Sequence, residues 1–205
     1  MSRVTFEQLL QLTDHIPSSV YSAEQYEWYT RLENLPENST IVDFGSGWGK
    51  SAASLALSAP RSDVYTFDIG DIYLLQRNVE SYDEYEQAVN DYLSKAGAGN
   101  AHFTRGNSLE IPWDKPIDIL NIDSDHTYET TKKEIERWVP FVKTGGLVFF
   151  HDYEHPRCPG VRQAIDELIP SKFNLELLKV TPTDVVTIGT FQVSSKVHTA
   201  IYEAK

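Results

Sequence analysis

Two sets of residues in this chain have the types and spacing of a reaction site. The first is Gly45, Gly47 and Gly49, alternate glycines that follow the apolar run 40–44 directly and give way at Lys50 and Ser51 to a helix-like segment. Without a Cβ the chain takes positive φ and lies flat against a ligand, and a helix start presents backbone N–H groups to polar atoms. Such a turn suits a nucleotide-like cofactor. The second set is Asp123, Asp125 and His126 after the apolar run 117–122, with His151 and Asp152 after 147–150. Adjacent parallel strands deliver their C-terminal ends to one edge, so these acids and imidazoles should converge on the cofactor crevice as a site constellation rather than a surface charge run.

Spacing separates three readings of the glycine turn. A phosphate-binding GxxxxGK[ST] loop requires glycine at 44, where Phe44 stands. The dinucleotide fingerprint GxGxxG requires glycine at 50, where Lys50 stands. What remains is GxGxG, with Asp43 two residues before it and Asp68 ending the next strand. This arrangement resembles motif I of class I S-adenosylmethionine-dependent methyltransferases. The resemblance implies that Asp43, Gly45, Ser46, Gly47, Asp68, Asn107, Ser108 and Asp123 bind the cofactor. Gly45 and Gly47 would lie against its methionine and ribose, Asp68 would accept from the ribose hydroxyls, and Asn107 and Ser108 would meet the adenine. The residues alone leave plainer roles open: Asp68 as a turn residue before Gly70, Asp43 as an anchor accepting the loop's N–H groups, and Gly106-Asn107-Ser108 as a simple turn.

The segments 118–129, 145–153 and 159–168, with Trp138, resemble a methyltransferase group related to the cephalosporin-hydroxylase and macrolide sugar O-methyltransferase families. Catechol O-methyltransferases share the layout more distantly. Over roughly residues 40 to 170, the resemblance implies that Asp123, His151 and Asp152 hold a divalent cation that receives the acceptor hydroxyl, and that His126 is the general base. Tyr153 stands where the catechol-type enzymes have Asn, and an imidazole is a softer ligand than oxygen. Mg²⁺ therefore fits less well than Mn²⁺ or Fe²⁺, and a site without metal stays open. Bland roles stand beside these. Asp125 or Thr127 is the expected N-cap of the helix that follows, and His151 is equally well a buried strand-end imidazole bonded to backbone. Tyr128 and Trp138 read as packing residues, and His102 and His155 as surface or loop residues.

The elements that must position these groups alternate. Two helices before residue 38, punctuated by Pro17 and Pro36, precede a βαβ rhythm with strands at 41–44, 64–67, 102–104, 117–122 and 147–150. Helices read at 51–57, 82–95, 128–141 and 161–169. This predicts a Rossmann-like, doubly wound α/β sheet of seven strands, mostly parallel. Strands at 175–180 and 185–193, separated only by a turn, require an antiparallel member at the C-terminal end. The expected division is residues 1–38 as helices packing on or capping the core and 39–205 as the methyltransferase domain. The irregular stretch 69–81 is a candidate substrate cap.

Composition narrows the partners. The 205 residues carry a net charge of −12, spread along the chain, which repels a phosphate backbone and argues against nucleic acid. No segment reaches the roughly 18 apolar residues of a membrane span, and the first residues lack the apolar stretch of a signal peptide, so a cytoplasmic protein with no membrane partner is expected. Cys158, the only cysteine, rules out a disulfide framework. The reading is an S-adenosylmethionine-dependent O-methyltransferase acting on a small-molecule hydroxyl, sugar or phenolic. An NAD-dependent oxidoreductase and a metal-dependent hydroxylase or hydrolase are the alternatives. Whether the chain forms a homodimer is left open.

Overall fold

The computed structural model describes residues 2–181, 186–188, 191–193 and 198–205. Helices α1 (Phe6–Thr13) and α2 (Ser22–Arg31) lead into strand β1 (Thr40–Phe44), helix α3 (Lys50–Ser58), strand β2 (Asp63–Asp68), and helices α4 (Asp71–Leu75) and α5 (Tyr82–Ala96). Then come β3 (Ala101–Arg105), β4 (Ile117–Ile122), α6 (Tyr128–Trp138), β5 (Val142–Phe150) and α7 (Pro159–Lys172). The chain closes with β6 (Leu175–Val180), β7 (Val186–Ile188), β8 (Phe191–Val193) and β9 (Ala200–Ala204).

Seven strands form one sheet in the order β3-β2-β1-β4-β5-β9-β6. The five strands from β3 to β5 pair in parallel, while β9 runs antiparallel to both β5 and β6. Strand order reverses between β1 and β4, and a crevice opens at such a switch point beyond the carboxyl ends of the strands. The register puts Phe44 level with Phe67 on one side and Ile122 on the other. Asp68 and Asp123 therefore emerge on either side of the glycine turn.

Alternation along the strands loads both faces. Ile41, Ile119 and Phe149 pack with α3, α5 and the N-terminal helices. Val42, Phe44, Val148 and Phe150 pack with α6 and α7 on the other side. Small residues let α3 sit deep, and each residue from Ser51 to Ser58 is buried. Gln25 on α2 donates to both Thr13 Oγ1 and Ser54 Oγ, tying α1, α2 and α3 through a buried polar link. Trp28 and Trp138 are fully buried, one on each side of the sheet; truncating either to Ala should cost about 3–5 kcal/mol.

Three boundaries differ from the sequence expectation. The strand that closes the main sheet is β9, not 185–193. In that expected strand, β7 and β8 form a separate antiparallel pair, and residues 185, 189 and 190 lie outside the described residues. The turn expected at Thr181-Pro182-Thr183-Asp184 also falls largely outside them. The helix expected to reach 141 leaves α-geometry after Trp138, and a 3₁₀ turn with Pro140 carries the chain to Phe141. The stretch 69–81, read as irregular, contains α4, entered through Gly70 at φ 78°. Among the described residues no helix is long and apolar enough to cross a membrane.

Candidate active site

The glycine turn is held by its neighbours before any ligand arrives. Gly45 and Ser46 donate their N–H groups to the Phe67 carbonyl, and Gly47 N–H donates to Asp68 Oδ2 at 2.9 Å. Three N–H groups of the turn are thus already committed within the chain. Ser46 Oγ, by contrast, is buried and has no partner among the described residues. Gly45, Gly47 and Gly49 all have positive φ, at 79°, 55° and 93°. A Cβ on Gly45 would lie 1.9 Å from the Asp123 carbonyl oxygen, so only glycine lets β1 turn beneath the end of β4.

Asp68 accepts from Gly47 N–H through Oδ2 and from Gly70 N–H through Oδ1, at 2.9 and 2.8 Å. Each oxygen keeps a lone pair for a ligand hydroxyl. Burial pushes its carboxyl up, against those two backbone bonds. Tyr85 donates to the Gly47 carbonyl at 2.6 Å and stacks on Tyr73, with ring centroids 5.0 Å apart. Trp48 lies 4.4 Å from the Tyr73 ring. These aromatics fix α4 against the turn, so the stretch 69–81 walls the cavity through Ile69, Ile72 and Tyr73.

Asp43 does not reach that cavity. Fully buried beneath the turn, it accepts from Ser51 Oγ, Thr66 Oγ1 and Asn121 Nδ2. Burial lifts its carboxyl to about 6 despite these bonds. Its structural role is to join β1, β2, β4 and α3 through side-chain donors rather than through the loop N–H groups expected of an anchor.

The far end of the cavity rests on a carboxylate that sequence reasoning missed. Glu134 Oε1 accepts from both Ser108 and Ser124, and Glu134 is completely buried. Trp138 Nε1 donates to the Ser108 carbonyl at 2.9 Å, holding the same loop from the helix below. The cavity has a volume of about 730 Å³ and lies within the range of small-ligand sites. Gly45, Ser46, Gly47, Asp68, Asn107, Ser108, Asp123 and His126 all line it.

Asp123 and His126 also belong to a second group, set behind the cavity wall. His151 Nδ1 lies 2.9 Å from Asp123 Oδ1 and 3.5 Å from Asp152 Oδ2. His126 Nε2 lies 3.3 and 3.2 Å from the same two oxygens. His151 is 4% exposed, and neither ring nitrogen has a hydrogen bond of acceptable alignment among the described residues. The Asp123 and Asp152 oxygens are thus ion-pair neighbours rather than aligned acceptors, and the backbone-bonded role considered for His151 is not found. Asp152 adopts φ 57°, a left-handed conformation that Asp tolerates better than most residues and that turns its carboxylate back to the cluster. Thr127, not Asp125, is the N-cap of α6; Asp125 braces that cap by accepting from Thr127 N–H and Thr130 Oγ1.

Electrostatics couples the group. Burial would lower the His151 pKa, yet Asp123 and Asp152 outweigh it and hold the imidazole well above its ordinary value. The hydrogen bond with Asp123 raises His126 as well. Burial would raise Asp123 and Asp152, but the imidazoles bring both below the usual range. Two carboxylates therefore attract positive charge into a confined space. Asp123, His151 and Asp152 each offer one donor atom within 4.8 Å of the others. The orphaned buried His151 nitrogens and the two carboxylates fit a divalent cation.

A Rossmann-like sheet with its cavity at this switch point, and an acid at the end of β2, define the class I methyltransferase architecture. A family model described as a methyltransferase domain matches residues 42–153, more than half of the chain, and the chain belongs to that family. Uncharacterized protein R132 of Acanthamoeba polyphaga mimivirus is 30% identical over 76 residues. The match covers 37% of this chain and 33% of that one, so it spans about a third of this curated relative's length. An O-methyltransferase from Bacillus cereus, solved in complex with SAH, superposes with a TM-score of 0.66 at 16% identity, covering 100% of this chain and 92% of that one. An rRNA methylase from Streptococcus thermophilus superposes with a TM-score of 0.59 at 18% identity, covering 86% and 93%. At such identities the likeness is one of fold, and relatives with different acceptors share it.

Proposed function

We propose that this chain transfers the methyl group of S-adenosylmethionine to a hydroxyl of a small molecule, a sugar or a phenol, with a divalent cation at Asp123, His151 and Asp152. The observation that carries the reading is the double membership of Asp123, which lines the cofactor-sized cavity and also belongs to the donor group. A methyl donor and a hydroxyl held there would be neighbours. S-adenosylmethionine fits the glycine turn, with the Ser46 hydroxyl, partnerless among the described residues, and the remaining lone pairs of Asp68 as its polar contacts.

When bound, a dication supplies a lowered pKa to an alcohol whose proton is otherwise held too tightly for nucleophilic attack. The chain's own residues do the rest. Asp123 and Asp152 supply the negative charge, and His151 holds its ring between them. His126, with its side chain 42% exposed, stands at the cavity edge to take up the hydroxyl proton. Asp68, Tyr73 and Tyr85 keep the turn rigid, so that orientation supplies much of the rate. The oxidoreductase and hydroxylase alternatives are not favoured by the family match. The negative net charge supports a small acceptor over nucleic acid.

The test is release of S-adenosylhomocysteine from S-adenosylmethionine in the presence of a panel of sugars and phenols. Release that depends on both a hydroxyl compound and a divalent ion supports the proposal. Transfer only to an amine or to RNA would overturn it.

A further inference from the structure

Cys158 lies beside the candidate metal group with its thiol facing in. Its Sγ is 3.8 Å from Asp152 Oδ2, the oxygen that also faces His126 Nε2 at 3.2 Å and His151 Nδ1 at 3.5 Å. His126, Asp152 and Cys158 form a second set of donor atoms lying within 4.8 Å of one another, with Asp152 common to both sets. The backbone builds this approach. His155 N–H donates to the Asp152 carbonyl and Cys158 N–H to the His155 carbonyl, so two successive turns fold the chain back and place the thiol over Asp152. Cys158 is 8% exposed and is the N-cap residue of α7; burial, and then the Asp152 carboxylate, push its thiol above the usual range, so the thiolate there needs a cation beside it.

An independent observation points to a cation in the same space. His151 is buried with both ring nitrogens lacking an aligned hydrogen bond among the described residues, and its Nδ1 is directed at the carboxylates. The spacing has a preferred geometry too. A tetrahedral ion with N and O ligands at about 2.0 Å separates its donors by about 3.3 Å, and by about 3.5 Å where one donor is a sulfur at about 2.3 Å. Around Asp152 Oδ2, His151 Nδ1 at 3.5 Å and Cys158 Sγ at 3.8 Å lie a few tenths above these values, and His151 Nδ1 lies closer to Asp123 Oδ1, at 2.9 Å.

We propose that Cys158 is a ligand of the cation in this group, and that the site therefore takes a borderline dication such as Zn²⁺, Co²⁺ or Fe²⁺ in preference to Mg²⁺. This rests on the metal-assisted reading above. Thiolate and imidazole select for such ions, whereas Mg²⁺ demands oxygen ligands in an octahedron. On binding, the S–H bond breaks, its proton passes to solvent, and a sulfur lone pair forms the bond to the metal. The neighbouring His155 Nδ1, 3.4 Å from Sγ, is placed to relay that proton outward.

The experiment titrates the full-length, metal-free chain with Co²⁺ and follows its absorption spectrum, with S-adenosylhomocysteine binding measured in parallel. The expected result is a near-ultraviolet thiolate-to-cobalt charge-transfer band. It should be absent from Cys158→Ser and Cys158→Ala, both of which bind Co²⁺ about tenfold or more weakly. Excess Mg²⁺ should leave the band in place. A cobalt complex of the unaltered chain without the band would overturn the proposal, whatever the variants do. An unchanged band in either folded variant, or displacement by comparable Mg²⁺, would do the same. If S-adenosylhomocysteine binds while Co²⁺ does not, the metal inference fails and the cofactor reading stands; if S-adenosylhomocysteine does not bind, the cofactor reading itself fails.

Discussion

Gly45 and Asp123 touch backbone to backbone: a Cβ on Gly45 would meet the Asp123 carbonyl oxygen at 1.9 Å and its carbon at 2.5 Å. The turn proposed to receive the cofactor and the strand end that begins the Asp123, His151 and Asp152 donor group are thereby pressed into one surface. Gly45→Ala has no flexible neighbour to push aside and must also accept a left-handed backbone. It should cost more than about 2 kcal/mol in urea denaturation. Gly47→Ala meets a side-chain atom rather than backbone, the Tyr73 hydroxyl at 2.8 Å, and should cost less, about 1–2 kcal/mol. Equal losses would show that the contact between β1 and β4 is not tight.

Glu134 gives a stability signature that depends on pH. Burial lifts its carboxyl from 4.5 to about 6, against hydrogen bonds from Ser108 and Ser124. With the folded value above the unfolded one, the folded state binds the proton more tightly. The resulting stabilisation is complete below about pH 4 and disappears as pH rises through about 6. Glu134→Gln lacks this titration. Its stability relative to the unaltered chain should therefore improve by about 2 kcal/mol between about pH 4 and pH 7. Urea denaturation at the two pH values checks it, and a difference independent of pH would contradict it.

Much of this site can be read from residue order alone, because strand ends and glycine turns leave local signatures. The GxGxG spacing, Asp68 at the end of β2 and the acids after β4 and β5 are such features, and the cavity gathers Gly45, Gly47, Asp68, Asp123 and His126. Glu134 is different. It occupies one turn of an amphipathic helix whose inward face also carries Thr131, Ile135 and Trp138, and only the tertiary approach of Ser108 and Ser124 distinguishes it from a solvated acid. The bonds of Asp43 are hidden from the sequence for a related reason. Its position before the turn says that it is near the cofactor, but not that Ser51, Thr66 and Asn121 saturate it from below. The β9 strand escaped because Val185 to Val193 offers a competing strand-like run, and pairing partners so distant in sequence leave no local mark.

His126 is placed to separate chemistry from binding. His126→Gln keeps a polar group of similar reach but removes the titratable nitrogen. Methyl transfer should fall by about 10²–10⁴, while S-adenosylhomocysteine affinity stays within about threefold. A variant that binds normally and transfers at the original rate would remove His126 from the role of base.

Metal removal should show the same division. After chelation, with metal content checked by elemental analysis, the chain should retain S-adenosylhomocysteine affinity within about threefold. Its transfer rate should fall at least about 100-fold and return on adding a divalent ion. Full activity in verified metal-free protein would reject cation assistance and leave the glycine-turn assignment intact.

The central claim is that the cavity between Gly45 and Asp68 receives S-adenosylmethionine, and calorimetry with S-adenosylhomocysteine tests it most directly. One equivalent should bind to the folded chain, and Asp68→Ala should weaken that binding about 10- to 100-fold, the loss of hydrogen bonds to a charged acceptor. The absence of any binding to folded protein, or an affinity unchanged by Asp68→Ala, would contradict the account.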